Sequence, residues 1–138
     1  MNARFWITAV VLFILTMVIG FVVHGTLLKP EYDALPGIMR GDADAMAHFP
    51  YLLLSHVFYA LGVAWIYQQG VKAGVSWLSQ GIRFGIALSF VTCIYMYLTY
   101  YAVQPMPFGL VIKQIVFEFI GSILVGLTAA FLNKPAVE

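Results

Sequence analysis

With 62% of its 138 residues apolar and only 9% charged, this chain does not take water as its main solvent, because soluble domains carry about 25% charged residues. A mean hydropathy of +0.93 agrees, the length suits one small bundle, and a net charge of +1 without a basic run argues against nucleic acid as a partner. The single cysteine, Cys93, excludes an internal disulfide and paired-thiol redox chemistry.

Along the chain, Phe5–Leu27 is an uncharged apolar run. It exceeds the roughly 7–15 residues of a signal-peptide core, and no small-residue cleavage motif follows, so it reads as a retained first span. Leu28–Phe49 is the longest connection, broken by Pro30, Pro36 and Gly37, with Asp42 placed to cap a short helix over 43–49. Pro50–Gln68 is the second span, opened by a proline whose missing N–H costs nothing in a first turn. After a linker at 69–82, Phe84–Val103 is the third span and Phe108–Leu132 the fourth, separated by a tight turn at Gln104-Pro105-Met106-Pro107. Each run approaches the roughly 20 residues that cross a bilayer as helix, and helix is required because lipid offers the backbone no hydrogen bonds. The expected fold is all-α, a four-helix transmembrane bundle.

Charge sets the expected orientation. With the N-terminus inside, the inner segments hold Arg4, Lys72, Arg83 and Lys134, whereas the outer ones hold only Lys29 and Arg40 among several acids. The positive-inside rule then predicts both termini in the cytoplasm and Leu28–Phe49 outside. Trp6, Trp65 and Trp77 gather at the inner interface on this reading, and Tyr51, Tyr97, Tyr100 and Tyr101 at the outer one.

Polar residues at membrane depth are the main functional lead. Glu118 stands about 15 Å into the fourth span, one helical neighbour from Gln114, with Lys113 entering the same helix earlier. His24 ends the first span and His56 lies in the second, so these groups overlap in depth within the outer half. Charged groups facing lipid are expensive, so the cluster is expected to turn inward, Glu118 touching His24, His56 or Lys113. Two readings stand: an interhelical hydrogen-bond network that locks the bundle while Lys113 snorkels to the surface, or an outward-opening pocket for a proton or a small molecule. A metal held by the histidines and a carboxylate is a third, but no i, i+4 histidine pair or H-E-x-x-H motif supports it. Haem would need axial ligands facing each other across the bundle, and His24 and His56 share only depth. No cofactor is specified. His48 with Asp42 and Asp44 invites a surface metal, for which a solvated acidic loop is the plainer account. Gly20 with His24, Gly85 with Ser89 and Ser122 with Gly126 have the spacing that lets helices approach closely.

Phe21-Val22-Val23-His24-Gly25, Tyr101-Ala102-Val103-Gln104-Pro105-Met106-Pro107 and Lys113-Gln114-Ile115-Val116-Phe117-Glu118 resemble stretches of small four-span bacterial inner-membrane proteins grouped as a domain of unknown function. The resemblance covers most of the chain and implies a bacterial inner membrane, with no activity attached. Small multidrug exporters carry their glutamate in the first span, which here has no acid, and the glycine- and arginine-rich signature of fluoride channels is missing. The function expected is therefore a non-enzymatic accessory or assembly subunit, packed against itself as a homo-oligomer or in a larger membrane complex. The alternative is a binder or transporter of a small hydrophobic, quinone-like or proton-coupled molecule, using His24, His56, Lys113, Gln114 and Glu118.

Overall fold

The computed structural model describes residues 2–35, 37 and 39–134, and among them every regular element is helical. In chain order these are α1 (Ala3–Leu27), a short α2 (Lys29–Asp33), α3 (Asp42–Gln69), α4 (Trp77–Val103) and α5 (Phe108–Asn133). All except α2 are long and apolar enough to cross a membrane. The Arg4 guanidinium donates to the Lys134 carbonyl at 3.4 Å, which puts both ends of the bundle sequence together. We call this the termini end, and the end bearing α2 the loop end.

Two helices start earlier than expected. Gly41, in extended conformation, precedes α3, so Asp42 is the first helical residue rather than a cap, and the helix runs unbroken through Pro50 into the membrane span. The expected short helix and the span are one element. Backbone hydrogen bonding does not stop where the hydrocarbon does, and Arg40, just ahead of the helix, pairs with Asp44 of its first turn at 2.7 Å. Pro50 forfeits one backbone bond, a loss that membrane helices tolerate. At the other end of the chain's midpoint, Ser76 caps α4 by accepting the Ser79 N–H at 3.2 Å, so Trp77 opens the helix well ahead of the apolar run. Pro36 lies outside the described residues.

Each long helix divides into a lipid face and a buried face. Phe108, Ile112, Val116, Ile120 and Leu124 recur every fourth residue on the exposed side of α5. Its buried side carries Leu110, Val111, Gln114, Gly121, Ser122, Val125 and Ala129. The helices pack in the row α4–α5–α1–α3, with α4 on α5 the closest pair. A Cβ on Gly85 would lie 2.7 Å from the Ser122 carbonyl oxygen and the Ile123 Cα, and one on Gly126 would strike the Gly81 carbonyl. Gly85, Ser122 and Gly126 do pack as their spacing implied, and Gly81 joins them.

The row curls so that its outer members, α3 and α4, meet at the termini end, where the Tyr67 and Phe84 rings pack edge to face at 5.1 Å. Here lies one core, including Phe5, Leu12, Ala64, Leu88, Val125 and Ala129. A second core, formed by Val23, Leu28, Tyr32, Met106, Leu110 and Val111, closes the loop end. At the termini end a polar chain also ties three helices: the Gln68 amide donates to Asn133 Oδ1 at 2.9 Å, and Asn133 Nδ2 donates to Thr8 Oγ1 at 3.0 Å.

Candidate functional site

A cavity of about 1020 Å³ occupies the loop-end half. Its floor is α1 and α5, through Thr16, Gly20, His24, Glu118 and Gly121. Its walls are Leu52, His56 and Tyr59 of α3 and Val91, Met96 and Tyr97 of α4. α1 and α5 pack together behind it, and Lys29, Asp33, Met39 and Arg40 of the loop end also line it. Apolar walls around a few converging polar groups are the usual make-up of a small-molecule site.

The backbone is irregular where the site is built. The last five residues of α1, Val23–Leu27, form a π turn closed by the Leu28 N–H on the Val23 carbonyl at 2.9 Å. This turn carries His24. A second π turn, Phe90–Ile94, carries the α4 wall, and the Thr92 hydroxyl and Cys93 thiol cover carbonyls of the preceding turn, Leu88 at 2.8 Å and Ser89 at 3.4 Å. Single π turns in α-helices occur frequently at functional sites, since they re-aim side chains at a cost in regular bonding.

His24 is the hub. Its Nε2 lies 3.0 Å from Glu118 Oε1, and Tyr97 Oη stands 3.3 Å from the same nitrogen. Its Nδ1 is 2.6 Å from Tyr32 Oη, which also accepts the Gln114 amide at 2.9 Å. The arrangement can hold one extra proton without breaking a bond. With neutral His24 the imidazole donates to the Glu118 carboxylate and accepts from Tyr32; as imidazolium it donates to both. Burial pushes the Tyr32 phenol above its ordinary range, so Tyr32 stays a neutral hydroxyl. Glu118 and His24 retain side-chain exposures of 25% and 33%, so the pair is open to the cavity. Gln114 Oε1 is buried without a partner.

His56 faces the same cavity but makes a separate bond, Nδ1 to Thr16 Oγ1 at 3.0 Å. Of the five residues expected to cluster, His24 and Glu118 meet directly, Gln114 joins through Tyr32, and His56 shares only the space. Lys113 leaves the site: its ammonium turns outward to pair with Glu31 of α2. That pair holds the Glu31 carboxyl below its ordinary range, mainly through the hydrogen bond from Lys113. His48 is engaged within its own turn, its Nδ1 2.8 Å from the Asp44 carbonyl. Among the described residues, no three of His, Cys, Asp and Glu come together in a way that would hold a metal ion.

Tyr32 and Thr16 were not visible as site residues in the sequence. Tyr97 reads as part of an aromatic belt, and Tyr51, Tyr100 and Tyr101 are indeed exposed, but Tyr97 turns into the cavity. Thr16 had one signal, its i, i+4, i+8 stripe with Gly20 and His24.

Four spanning helices enclosing this cavity define a multi-pass membrane protein in contact with the lipid bilayer. Comparison with protein-family models, curated proteins and solved structures gave no match for the chain.

Proposed function

We propose that this protein binds a small, largely apolar molecule that enters from the bilayer between α3 and α4, with the ligand's polar group on the His24–Glu118 pair. The observation that carries this reading is the pair's position on the floor of an apolar-walled cavity of about 1020 Å³. A network that only locked helices would resemble the one at the termini end, where Asn133 and Thr8 are buried and mutually bonded. The His24 cluster is instead partly exposed, with His24 itself on a π turn, and its hydrogen bonds can accommodate an added proton.

An accessory or assembly role is the weaker reading. The apolar outer faces are those any bilayer-spanning helix presents, and nothing in their pattern singles out a protein partner. Placement in a bacterial inner membrane with both termini inside rests on the charge asymmetry and the resemblance described above.

The test is native mass spectrometry of protein released from its own membranes, comparing wild type with Val91→Trp. Val91 is an exposed cavity-wall residue, so the bulkier ring narrows the opening without disturbing the core. Wild type should carry a small molecule that the variant lacks. The same bound species in both, or only bulk phospholipid in wild type, would refute the proposal.

A further inference from the structure

Among the described side chains lining the cavity, Glu118 carries the one charge without an ion partner when His24 is neutral. Lys29 and Arg40 also line it, but Lys29 pairs with Asp33 at 2.8 Å and Arg40 with Asp44 at 2.7 Å. Lys113, on the same helix as Glu118, turns away to Glu31. The phenols of Tyr32, Tyr59, Tyr97 and Tyr100, the Cys93 thiol and a neutral His56 add no charge of their own. Glu118 Oε1 meets His24 Nε2 at 3.0 Å, and its Oε2 has no hydrogen bond among the described residues. A neutral imidazole N–H steadies a carboxylate but leaves its full negative charge in place. Such a charge inside a membrane protein is expensive unless a positive one compensates it.

The walls decide which cation fits. A metal ion needs several oxygen ligands to replace its water shell, and no three of His, Cys, Asp and Glu come together among the described residues. Aromatic rings are present instead. Tyr97 Oη stands 3.3 Å from the same His24 nitrogen that meets Glu118, so Tyr97 lies beside the carboxylate. Tyr100 packs edge to face on Tyr97 at 6.3 Å, and Phe21, Phe49 and Tyr59 also line the cavity. Ring faces attract a cation through their quadrupole while supplying no hydrogen-bond acceptor of full strength. They suit a quaternary or delocalised cation better than a strongly hydrated primary ammonium. A volume of about 1020 Å³ admits a drug-sized molecule.

Resting on the binding reading above, we infer that the ligand is an amphiphilic organic cation. Its quaternary or delocalised positive group is held by the Glu118 carboxylate and the neighbouring aromatic rings, and its apolar body lies along the cavity walls. The ligand's charge completes the ion pair that a neutral His24 leaves open. A neutral molecule of the same shape gains no such pair, and an anion is repelled. An imidazolium at His24 supplies the countercharge from within, so the preference for a cation belongs to the state in which His24 is neutral.

Three probes sharing a naphthylmethyl body test this at about pH 8, above the ordinary histidine range near 6.5: a trimethylammonium, its neutral tert-butyl isostere and a sulfonate. Binding to the full-length protein in nanodiscs of zwitterionic lipid is read by naphthalene fluorescence and corrected for uptake by empty nanodiscs. An ion pair across about 4 Å at an effective dielectric constant near 20 predicts at least about tenfold tighter binding of the cation than of the neutral isostere. Glu118→Gln should bring the cation down to the level of the neutral probe. Equal binding of cation and neutral isostere by wild type, or tightest binding of the sulfonate, would overturn the inference without any variant having to fold. So would a cation preference that survives in Glu118→Gln. If the three probes bind alike and Val91→Trp loses all of them, the cleft stands as a binding site and only its charge selectivity falls. If none binds, the inference falls, and the binding reading falls with it when Val91→Trp also retains every species that wild type carries.

Discussion

His24 and Glu118 join α1 to α5 through a 3.0 Å contact between ring Nε2 and carboxyl Oε1, on the floor of the cavity, where both side chains stay partly exposed. The contact is both a helix tie and the titratable part of the cavity, and substitution separates these roles. Glu118→Gln keeps an acceptor oxygen for the His24 N–H but loses the charge. Interhelical hydrogen bonds in membranes average about 0.6 kcal/mol, with a maximum near 1.7 kcal/mol. Unfolding in mixed micelles should therefore show Glu118→Gln within about 0.6 kcal/mol of wild type and Glu118→Leu lower by about 1–2 kcal/mol. If the pair serves ligand binding, the bound species should be lost from the well-folded Gln variant. Retention of the ligand by Glu118→Gln would restrict the pair to a structural role.

The tightest contact in the bundle predicts a larger effect. A Cβ on Gly126 would overlap the backbone of Gly81 and Gly85, and backbone cannot move aside as a flexible side chain does. Gly126→Ala should cost about 1–3 kcal/mol, the usual range for overpacking. By contrast, Gly109 has open space around it, and Gly109→Ala should be neutral or slightly stabilising in the helix. Thermal unfolding of the two variants side by side checks the pattern; similar melting temperatures would show that α4 and α5 do not pack this closely.

The pair between Lys113 and Glu31 pins α2 to the start of α5, and its pH dependence has a definite sign. Its folded carboxyl titrates below the ordinary value of 4.5 because Lys113 bonds the charged form. The pair's contribution is thus complete above that value and is lost as pH falls through the lowered folded one. In Lys113→Met the Glu31 resonance, followed by NMR in nanodiscs, should titrate at a higher pH than in wild type. An unchanged midpoint would mean that the two side chains do not meet.

How much of this was legible in the sequence depended on how far each signal reaches. The four spans follow from unbroken apolar runs, since a bilayer imposes both length and helicity. The helix ends did not follow: α3 and α4 begin in polar segments beyond the hydrocarbon, where hydropathy falls silent while caps such as Ser76 still act. For the site, depth alone brought His24 and Glu118 to the same level, and the cost of lipid-facing charge turned them inward. Lys113 escaped the same rule because its long side chain reaches Glu31 at the surface. Tyr32 could not be found this way, since its place depends on the chain folding back through α2, a tertiary event with no periodic trace.

Orientation provides the last prediction, because the charge balance behind it can be altered directly. Arg4, Lys72, Arg83 and Lys134 belong to the termini end and Lys29, Arg40 and, through its contact with Glu31, Lys113 to the loop end, four against three. The loop-end cations pair with acids, Lys29 with Asp33 at 2.8 Å and Arg40 with Asp44 at 2.7 Å, but acids contribute little to topology. The count of lysines and arginines therefore governs, and it favours cytoplasmic termini. Ala43 lies exposed near the start of α3, at the loop end. In a Cys93→Ala background, which removes the one native thiol, Ala43→Cys should react with an impermeant maleimide on intact cells. Replacing Lys72 and Arg83 by Gln reduces the inner count from four to two, one below the outer three. That variant should insert in both orientations, with labelling from outside falling to half or below. Labelling of Ala43→Cys only after permeabilisation would reverse the orientation, and full outside labelling of the double variant would show that these two charges do not set it.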